Sequence, residues 1–360
     1  MRILQLSSAR HFGGGERHFV DLTNALVQRG HEIFVAAVPD SAILTELSPS
    51  ATKTLFALSS SNPLNIARAF ALRRFVREHG IEIVHAHMAR DYPLAALAVG
   101  NKSDARLVIT RHVLFPMNKL HRITRGRVTR IVAVSEAVAA GVRAQKIFRD
   151  DQIAIVPNGI DLVRFRPRVA DSSPGRLRVG ILGELTPNKG QVEFVHAAEV
   201  VAKENENIEF LVAGRDNSSD VDYGRELRTL IEASEFHDRI QMVESKIDVA
   251  QFLTTLDLVV SASRSEAFGL SIVEAMAAGI PIVATATDGA REIIADNETG
   301  RLVPIGDVNE MAATISRLLR NRDERQRLSD NARQTVISRF SLERMVAETE
   351  AVYRAGLADK

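Results

Sequence analysis

The chain has no cysteine and no tryptophan among its 360 residues, and aromatic residues make up only 5% of it. Without cysteine, disulfide bonds and thiolate metal sites are both excluded. Few aromatics and no recognised nucleic-acid motif argue against a nucleic-acid partner. No run of about 18 apolar residues occurs, so no membrane-spanning helix is predicted. The first apolar stretch, Ile3–Ser7, is too short for a signal peptide and is predicted to be a strand, which fits a cytoplasmic location.

Charge is distributed unevenly along the chain. Residues 1–165 contain 22 Lys and Arg against 13 Asp and Glu, a net of +9, whereas the remainder contains 24 against 32, a net of −8. A basic first half indicates an anionic partner, such as a phosphorylated acceptor or the acidic face of a membrane. Much of this charge lies between Lys119 and Arg130. A solvated helix face explains that cluster equally well, so both interpretations stay open.

Length and pattern predict two α/β folds in series. A chain of 360 residues is too long for one ordinary core, and strand-like runs alternate with helical patterns, which predicts parallel sheets. In the first half, strands are predicted near Ile3–Ser7, Glu32–Val38, Ile81–His87, Leu107–His112, Arg130–Ser135 and Gln152–Val156. In the second half, they are predicted near Arg178–Gly183, Glu209–Ala213, Ile240–Val243, Leu258–Ser263, Pro281–Ala286 and Arg301–Val303. Between the halves, Arg166–Gly175 has the composition of a linker.

The most informative segment is SRSEAFGLSIVEAMAAG, residues 263–279. It places Glu266 and Glu274 on either side of a turn at Gly269 that opens an apolar helix. A strand predicted just before it, Leu258–Ser263, puts the turn where open α/β sheets bind ligands. A helix N-terminus suits phosphate, and carboxylates accept hydrogen bonds from hydroxyl groups. Phosphate together with a polyol indicates a nucleotide sugar.

Two glycine-containing loops do not match the common nucleotide-binding motifs. Gly13-Gly14-Gly15 joins the first strand to a helix predicted from Glu16 to Gly30, but a dinucleotide fingerprint needs a third glycine where His18 stands. Asn188, not glycine, precedes Lys189, which excludes a P-loop. A plain tight turn remains the alternative for the first loop.

These segments resemble the family 4 glycosyltransferases, whose signature is Glu-x7-Glu. Further similar segments are IVHAHM at Ile83–Met88, VAVSEAV at Val132–Val138 and PNGIDLVRFRP at Pro157–Pro167, in the family's order. The resemblance implies the GT-B fold, with two Rossmann-like βαβ domains facing each other across a cleft. It implies an acceptor-side domain at 1–165, a linker at 166–176, a donor-binding domain at 177–340 and a helix at 341–360 that returns to the first domain.

The resemblance also implies roles for individual residues. Lys189, Glu266 and His112 are the candidates for chemistry: a phosphate-binding lysine, a carboxylate at the sugar and a strand-end histidine near the transferred sugar. Glu274 is expected to bind the ribose hydroxyls. The remaining donor contacts are Gly14, Gly15, Arg264 and the backbone N–H groups of Phe268, Gly269 and Leu270. An acidic N-terminal turn that only stabilises the helix dipole is the alternative for the two glutamates.

One position departs from the family. Glu184 stands where the family usually has an arginine on the diphosphate, so Glu184 must turn away or contact another group. Arg264, or less obviously Arg215, could restore the positive charge. That departure leaves room for a non-catalytic nucleotide-sugar-binding scaffold.

A metal site is not expected. Histidines 85, 87 and 112 lie at predicted strand ends, but no third and fourth zinc ligands are evident, and His85 is interpreted as structural. Asp220 and Asp222 are assigned to solvent or capping, because GT-B enzymes generally need no bound metal. No cofactor is expected beyond the nucleotide sugar itself.

The family's chemistry predicts a retaining hexosyl transfer from a UDP- or GDP-sugar to a hydroxyl of a cell-envelope glycan or glycolipid. The acceptor is expected to be anionic, with peripheral contact to the inner face of the membrane through the basic first domain. A nucleotide-sugar epimerase of the same fold is the second enzyme hypothesis.

Overall fold

The computed structural model describes residues 1–49, 55–58, 66–100, 104–117, 120–167, 176–216, 223–243 and 248–359. The chain forms two compact units: unit 1 contains Met1–Gly159 with Leu342–Lys360, and unit 2 contains Ile160–Ser341. Most of the linker predicted at 166–176 lies outside the described residues, because the description stops at 167 and resumes at 176.

Unit 1 is built on a seven-stranded parallel sheet. Its strands are β1 (Arg2–Ser7), β2 (Glu32–Ala37), β3 (Leu55–Ala57), β4 (Ile83–Ala86), β5 (Arg106–Arg111), β6 (Val128–Ala133) and β7 (Ile153–Ile155). They lie in the order β3-β2-β1-β4-β5-β6-β7. Parallel strands covered on both faces are near-continuous apolar runs; in β1, Ile3, Leu4 and Leu6 are fully buried. The six predicted strands are confirmed, whereas β3 was not predicted.

Helices cover the sheet of unit 1. They are α1 (Gly14–Gln28), α2 (Ile43–Glu46), α3 (Ile66–Glu78), α4 (Tyr92–Val99), α5 (Leu120–Thr124), α6 (Glu136–Ala144) and, from the end of the chain, α14 (Leu342–Ala358). Helix α1 buries Phe19, Leu22 and Leu26, as expected for an apolar stripe of helical period. Helix α14 belongs to the same core, because Tyr353 is fully buried there.

Unit 2 repeats this architecture with six parallel strands. They are β8 (Leu177–Leu182), β9 (Ile208–Ala213), β10 (Ile240–Val243), β11 (Leu258–Ser261), β12 (Ile282–Thr285) and β13 (Arg301–Val303). Their order is β10-β9-β8-β11-β12-β13. All six strands predicted for the second half are therefore confirmed, with small differences at their ends.

The helices of unit 2 are α7 (Gln191–Glu204), α8 (Tyr223–Ala233), α9 (Val249–Leu253), α10 (Leu270–Ala277), α11 (Asp288–Ile293), α12 (Val308–Arg320) and α13 (Arg322–Arg339). Helix α12 shows how the sequence fixes an end: the Asp307 carboxylate accepts a hydrogen bond from the Glu310 N–H at 2.9 Å, which satisfies a donor left free at a helix start. Met311, Ile315 and Leu318 then bury one face of that helix.

Candidate active site

Each sheet has a switch point at its third and fourth strands. In unit 1, β1 lies between β2 and β4, and in unit 2, β8 lies between β9 and β11. Ligands of open α/β sheets bind outside the carboxyl ends of the strands at such a point. Gly14 and Gly15 follow β1, Lys189 follows β8 and Glu266 follows β11. These four residues therefore lie at the switch points of their units, whereas His112 follows β5, one strand further along the sheet.

In unit 2, the loops after β8 and β11 are tied together. The Lys189 Nζ donates a hydrogen bond to Glu266 Oε1 at 2.5 Å, and the Ser263 hydroxyl donates to the same oxygen at 2.8 Å. The Arg264 N–H donates to the Asn188 carbonyl at 2.8 Å. The structure thus brings two predicted residues, Lys189 and Glu266, into one ion pair, with the Glu266 side chain only 11% exposed.

Gly190 permits this close approach of the two loops. Its φ of +69° is in the left-handed region, and a Cβ there would lie 2.1 Å from the Ala262 carbonyl oxygen. Glycine adopts that conformation without the penalty that other residues have. A side chain at position 190 would therefore push Lys189 away from Glu266.

Helix α10 begins directly after the Glu266 loop. Gly269 precedes it with a φ of +109°, and Leu270 is its first residue. The Phe268 ring is buried and packs edge-on against the Phe340 ring, with centroids 5.7 Å apart, so only the backbone of Phe268 is left for a ligand. Glu274 lies one turn into the helix and is partly exposed, at the place predicted for it.

Two further charged residues, Arg264 and Glu184, lie near the Lys189–Glu266 pair in sequence and differ in their contacts. The Arg264 guanidinium forms an ion pair with the Glu193 carboxylate, although its side chain remains 60% exposed. The Glu184 side chain is exposed, while its carbonyl accepts a hydrogen bond from the Gln191 side-chain amide at 2.9 Å. The positive charge of Arg264 is therefore partly neutralised before any phosphate binds.

In unit 1, the glycine loop opens α1. The Gly13 N–H donates to the Glu16 carboxylate at 2.9 Å, which fixes the first turn of the helix. A Cβ at Gly15 would lie 3.8 Å from the His112 ring. The structure thus places Gly14 and Gly15 at the start of a helix and next to His112, which follows β5.

Three histidine rings gather at this edge of unit 1. The ring centroid of His18 lies 4.8 Å from that of His112 and 5.6 Å from that of His87. Burial lowers the pKa of all three rings, and that of His18 falls to about 4 even though Asn158 beside it has the opposite effect. The rings are therefore neutral at neutral pH.

His85 is buried beside this group but has a different role. One of its ring nitrogens forms a hydrogen bond with the Tyr353 hydroxyl at 2.6 Å, and the other with the Thr110 hydroxyl at 2.6 Å. Both ring nitrogens thus form hydrogen bonds inside unit 1, which agrees with the structural interpretation of His85.

The sequence showed no third and fourth zinc ligands, but the structure brings the His18 ring beside His87 and His112. One ring nitrogen of each of His18, His87 and His112 lies within 4.8 Å of the others. His18 lies on α1 rather than at a strand end, and its ring lies beside those of His87 and His112, which follow β4 and β5. Its position one turn after the glycine loop was the available signal.

Two sequence-based interpretations concern parts of the chain that are not described. Asp220 and Asp222 lie outside the described residues, as does Lys119. In the rest of the basic segment, Arg122 and Arg125 are exposed, and Phe115 just before it is 78% exposed. None of the helices in the described part of the chain has the length and apolar character needed to cross a bilayer.

Two family models account for most of the chain. The model described as Glycosyltransferase Family 4 matches residues 12–164, and the one described as Glycosyl transferases group 1 matches residues 167–335. The chain belongs to the family 4 glycosyltransferases. The expected enzyme class is therefore confirmed.

Individual relatives agree with this assignment. The chain is 30% identical over 243 residues to the MMP alpha-(1->4)-mannosyltransferase of Mycolicibacterium hassiacum, a match over 66% of this chain and 56% of that protein. It is 29% identical over 231 residues to the lipopolysaccharide core biosynthesis mannosyltransferase LpcC of Rhizobium leguminosarum, over 62% of this chain and 66% of that one. It thus spans less than two thirds of either relative.

The fold of this family 4 chain is also found among solved structures. The crystal structure of Anabaena HepE in complex with UDP-glucose matches with a TM-score of 0.85 at 20% identity, covering 99% of this chain and 100% of that one. Two parallel sheets with flanking helices and this likeness confirm the predicted GT-B fold class.

Proposed function

We propose that the chain transfers a hexose from a UDP- or GDP-sugar to a hydroxyl of a cell-envelope glycan or glycolipid, with retention of anomeric configuration. The observation that carries the proposal is the Lys189–Glu266 pair at the switch point of unit 2, beside the N-terminus of α10. A cation, a carboxylate and free helix N–H groups in one place match the phosphates and hydroxyls of a nucleotide sugar.

The donor is assigned to unit 2. An ammonium group has three N–H donors, of which Lys189 uses one on Glu266, so the others remain for the diphosphate. The N–H groups at the start of α10, from Gly269 onward, add partial positive charge. The Glu266 carboxylate is proposed to accept hydrogen bonds from the sugar, and Glu274 from the ribose.

The proposed transfer needs positive charge rather than a protein nucleophile. The bond between the anomeric carbon and the phosphate oxygen breaks first, and the acceptor oxygen attacks from the same face while its proton passes to the departing phosphate. Lys189 and the N-terminus of α10 stabilise the diphosphate as it leaves. Because these groups supply the charge, we propose that transfer is metal-independent and requires no cofactor.

The acceptor is assigned to unit 1. Gly14 and Gly15 are proposed to contact the donor near its phosphate and to approach the acceptor, and His112 is proposed to lie near the transferred sugar. Support for a cell-envelope acceptor comes from the name of the LpcC relative. The basic first half of the chain fits an anionic acceptor. Exposed Arg122, Arg125 and Phe115 support a cytoplasmic enzyme with peripheral contact to an acidic membrane face.

The test measures donor binding and donor consumption together. Thermal shifts against UDP, GDP, ADP, CMP and their sugars identify the base, because ligands of the folded state raise the melting temperature. The preferred nucleotide sugar is then supplied with EDTA and candidate acceptors, and the product is analysed by NMR. A glycoside with the donor's anomeric configuration is expected. An inverted product or a strict metal requirement would contradict the proposal.

Two further outcomes would favour the other hypotheses. Donor binding without any release of sugar would favour a scaffold, and a changed nucleotide sugar without glycoside would favour an epimerase. Glu274→Gln is expected to weaken donor binding more than tenfold with little change in melting temperature, whereas Glu232→Gln on the exposed face of α8 changes neither. Equal losses of stability and affinity in Glu274→Gln would instead support a purely structural glutamate.

A further inference from the structure

The three histidines at the edge of unit 1 have ring nitrogens that no hydrogen bond uses. Within the described part of the chain, both ring nitrogens of His18, Nδ1 of His87 and Nε2 of His112 are buried without a hydrogen-bond partner. His18 is 3% exposed and His87 is 5% exposed. Buried polar atoms are nearly always hydrogen-bonded, so four unpartnered nitrogens on three neighbouring rings point to a ligand.

The hydrogen bond of His87 fixes which of its nitrogens is free. Its Nε2 lies 2.7 Å from the Gln5 side-chain oxygen, and an amide oxygen only accepts hydrogen bonds. His87 must therefore donate from Nε2, which leaves an unprotonated Nδ1 when the ring is neutral. Metal-bound histidines are held in this way, with one nitrogen on the metal and the other donating to an oxygen.

The spacing of the three rings fits one ion. Three nitrogens within 4.8 Å of one another all lie within about 2.8 Å of a common point, and zinc–imidazole bonds measure about 2.0–2.1 Å. Each ring then has to move by less than about 1 Å to bind.

We propose that His18, His87 and His112 form a binding site for a divalent transition metal, with Zn²⁺ as the ion that suits three imidazoles. The fourth position is open to water or to the Asn158 side-chain oxygen, which is buried without a partner in the described structure. This site lies in unit 1 and shares His112 with the contacts proposed above for the transferred sugar. Its effect is to fasten the start of α1 to the ends of β4 and β5.

Zinc binding to the full chain, without any nucleotide sugar, tests the proposal. The protein is treated with a chelator, dialysed and titrated with Zn²⁺ by calorimetry, and with Co²⁺ for the visible absorption bands of a tetrahedral site. We expect one equivalent to bind. His18→Phe and His87→Phe are expected to weaken binding more than tenfold, whereas His196→Ala, which removes an exposed histidine of unit 2, leaves it unchanged.

Two results would overturn the site. One is the absence of any binding at 100 µM Zn²⁺ in about tenfold excess over protein. The other is binding that survives His18→Phe or disappears in His196→Ala, which would place the metal elsewhere. Circular dichroism establishes that each variant is folded; if the buried His18 and His87 variants are not, the partly exposed His112, changed to Asn, gives the same test.

Discussion

The two units have the same sheet topology at their switch points, but the side chains near those points are charged in unit 2 and neutral in unit 1. Unit 2 presents charge, in the Lys189–Glu266 ion pair and the Arg264–Glu193 ion pair. Unit 1 presents neutral rings, because burial lowers the pKa values of His18, His87 and His112. The corresponding positions of the two units thus differ in the charge of a few side chains, and so in the ligands that they suit.

Under the proposed function, this difference assigns the anion of the donor to unit 2. A diphosphate is stabilised by an ammonium and by helix N–H groups, and unit 2 supplies both next to Gly269. Neutral imidazoles instead supply lone pairs, which suit hydroxyl groups and metal ions. Fold alone assigns neither role.

Removing the positive charge of unit 2 is expected to have the largest effect. Lys189→Ala should lower kcat about 100- to 1,000-fold, or about 2.7–4 kcal/mol, as for loss of one preorganised donor at a developing negative charge. Among the described residues, it also leaves the Glu266 carboxylate with only the Ser263 hydroxyl as a side-chain hydrogen-bond donor. Steady-state kinetics with the preferred donor measure the loss.

Lys203→Ala is the matched control. Lys203 is an exposed lysine of the same unit, 3.8 Å from Glu235, and its loss should leave kcat unchanged. If both variants lose activity equally, or if Lys189→Ala retains it, unit 2 does not use its charge as proposed.

Acid is expected to act on unit 1 through its histidines. Burial lowers the pKa of His18 from its ordinary value of 6.5 to about 4 in the folded protein. Between these values the unfolded chain binds more protons, so stability falls as pH falls. For this ring alone, the loss between pH 7.5 and 5 is about 2 kcal/mol. Denaturant unfolding at the two pH values measures it.

His18→Phe keeps an aromatic ring at the position but cannot titrate. Its stability should therefore depend less on pH than that of the wild type, by about the same 2 kcal/mol over this range. His196→Ala, on the exposed face of α7, should keep the wild-type dependence. If His18→Phe has the same pH dependence as the wild type, the wild-type His18 ring is protonated between pH 7.5 and 5 in the folded protein as it is in the unfolded chain.

The smallest effect is expected at Glu184, where charge could be added to unit 2. Glu184→Arg should tighten donor binding about two- to fivefold, because a solvent-exposed charge contributes roughly 0.2–1 kcal/mol. Glu226→Arg, on α8, is the control for a general gain in positive charge. Unchanged or weaker binding in Glu184→Arg would show that Glu184 has its own role in this chain.

The fold was largely predictable because parallel βα units leave strong apolar runs. Strands such as β1 and β8 are buried on both faces, and this makes them visible in the sequence. The exception is β3, a three-residue strand at the edge of its sheet that pairs only with β2. So short a segment carries too little periodicity to be recognised.

The site was predictable only in part. Lys189, Glu266 and Glu274 were identified from motifs, but the ion pair of the first two depends on a backbone approach at Gly190 between segments 77 residues apart. Local pattern does not report such long-range contacts. His18 was missed for the same reason, since its neighbours come from β4 and β5.

The discontinuity of unit 1 has a consequence for synthesis on the ribosome. Unit 2 is one continuous stretch, Ile160–Ser341, whereas unit 1 needs α14, which follows it in the chain. Until α14 emerges, Gln5 and His85 lack the Tyr353 hydroxyl that they contact in the finished protein. The second unit can thus complete its fold before the first. Until then, the nascent first unit lacks the apolar residues of α14 that complete its core, and exposed apolar surface favours aggregation.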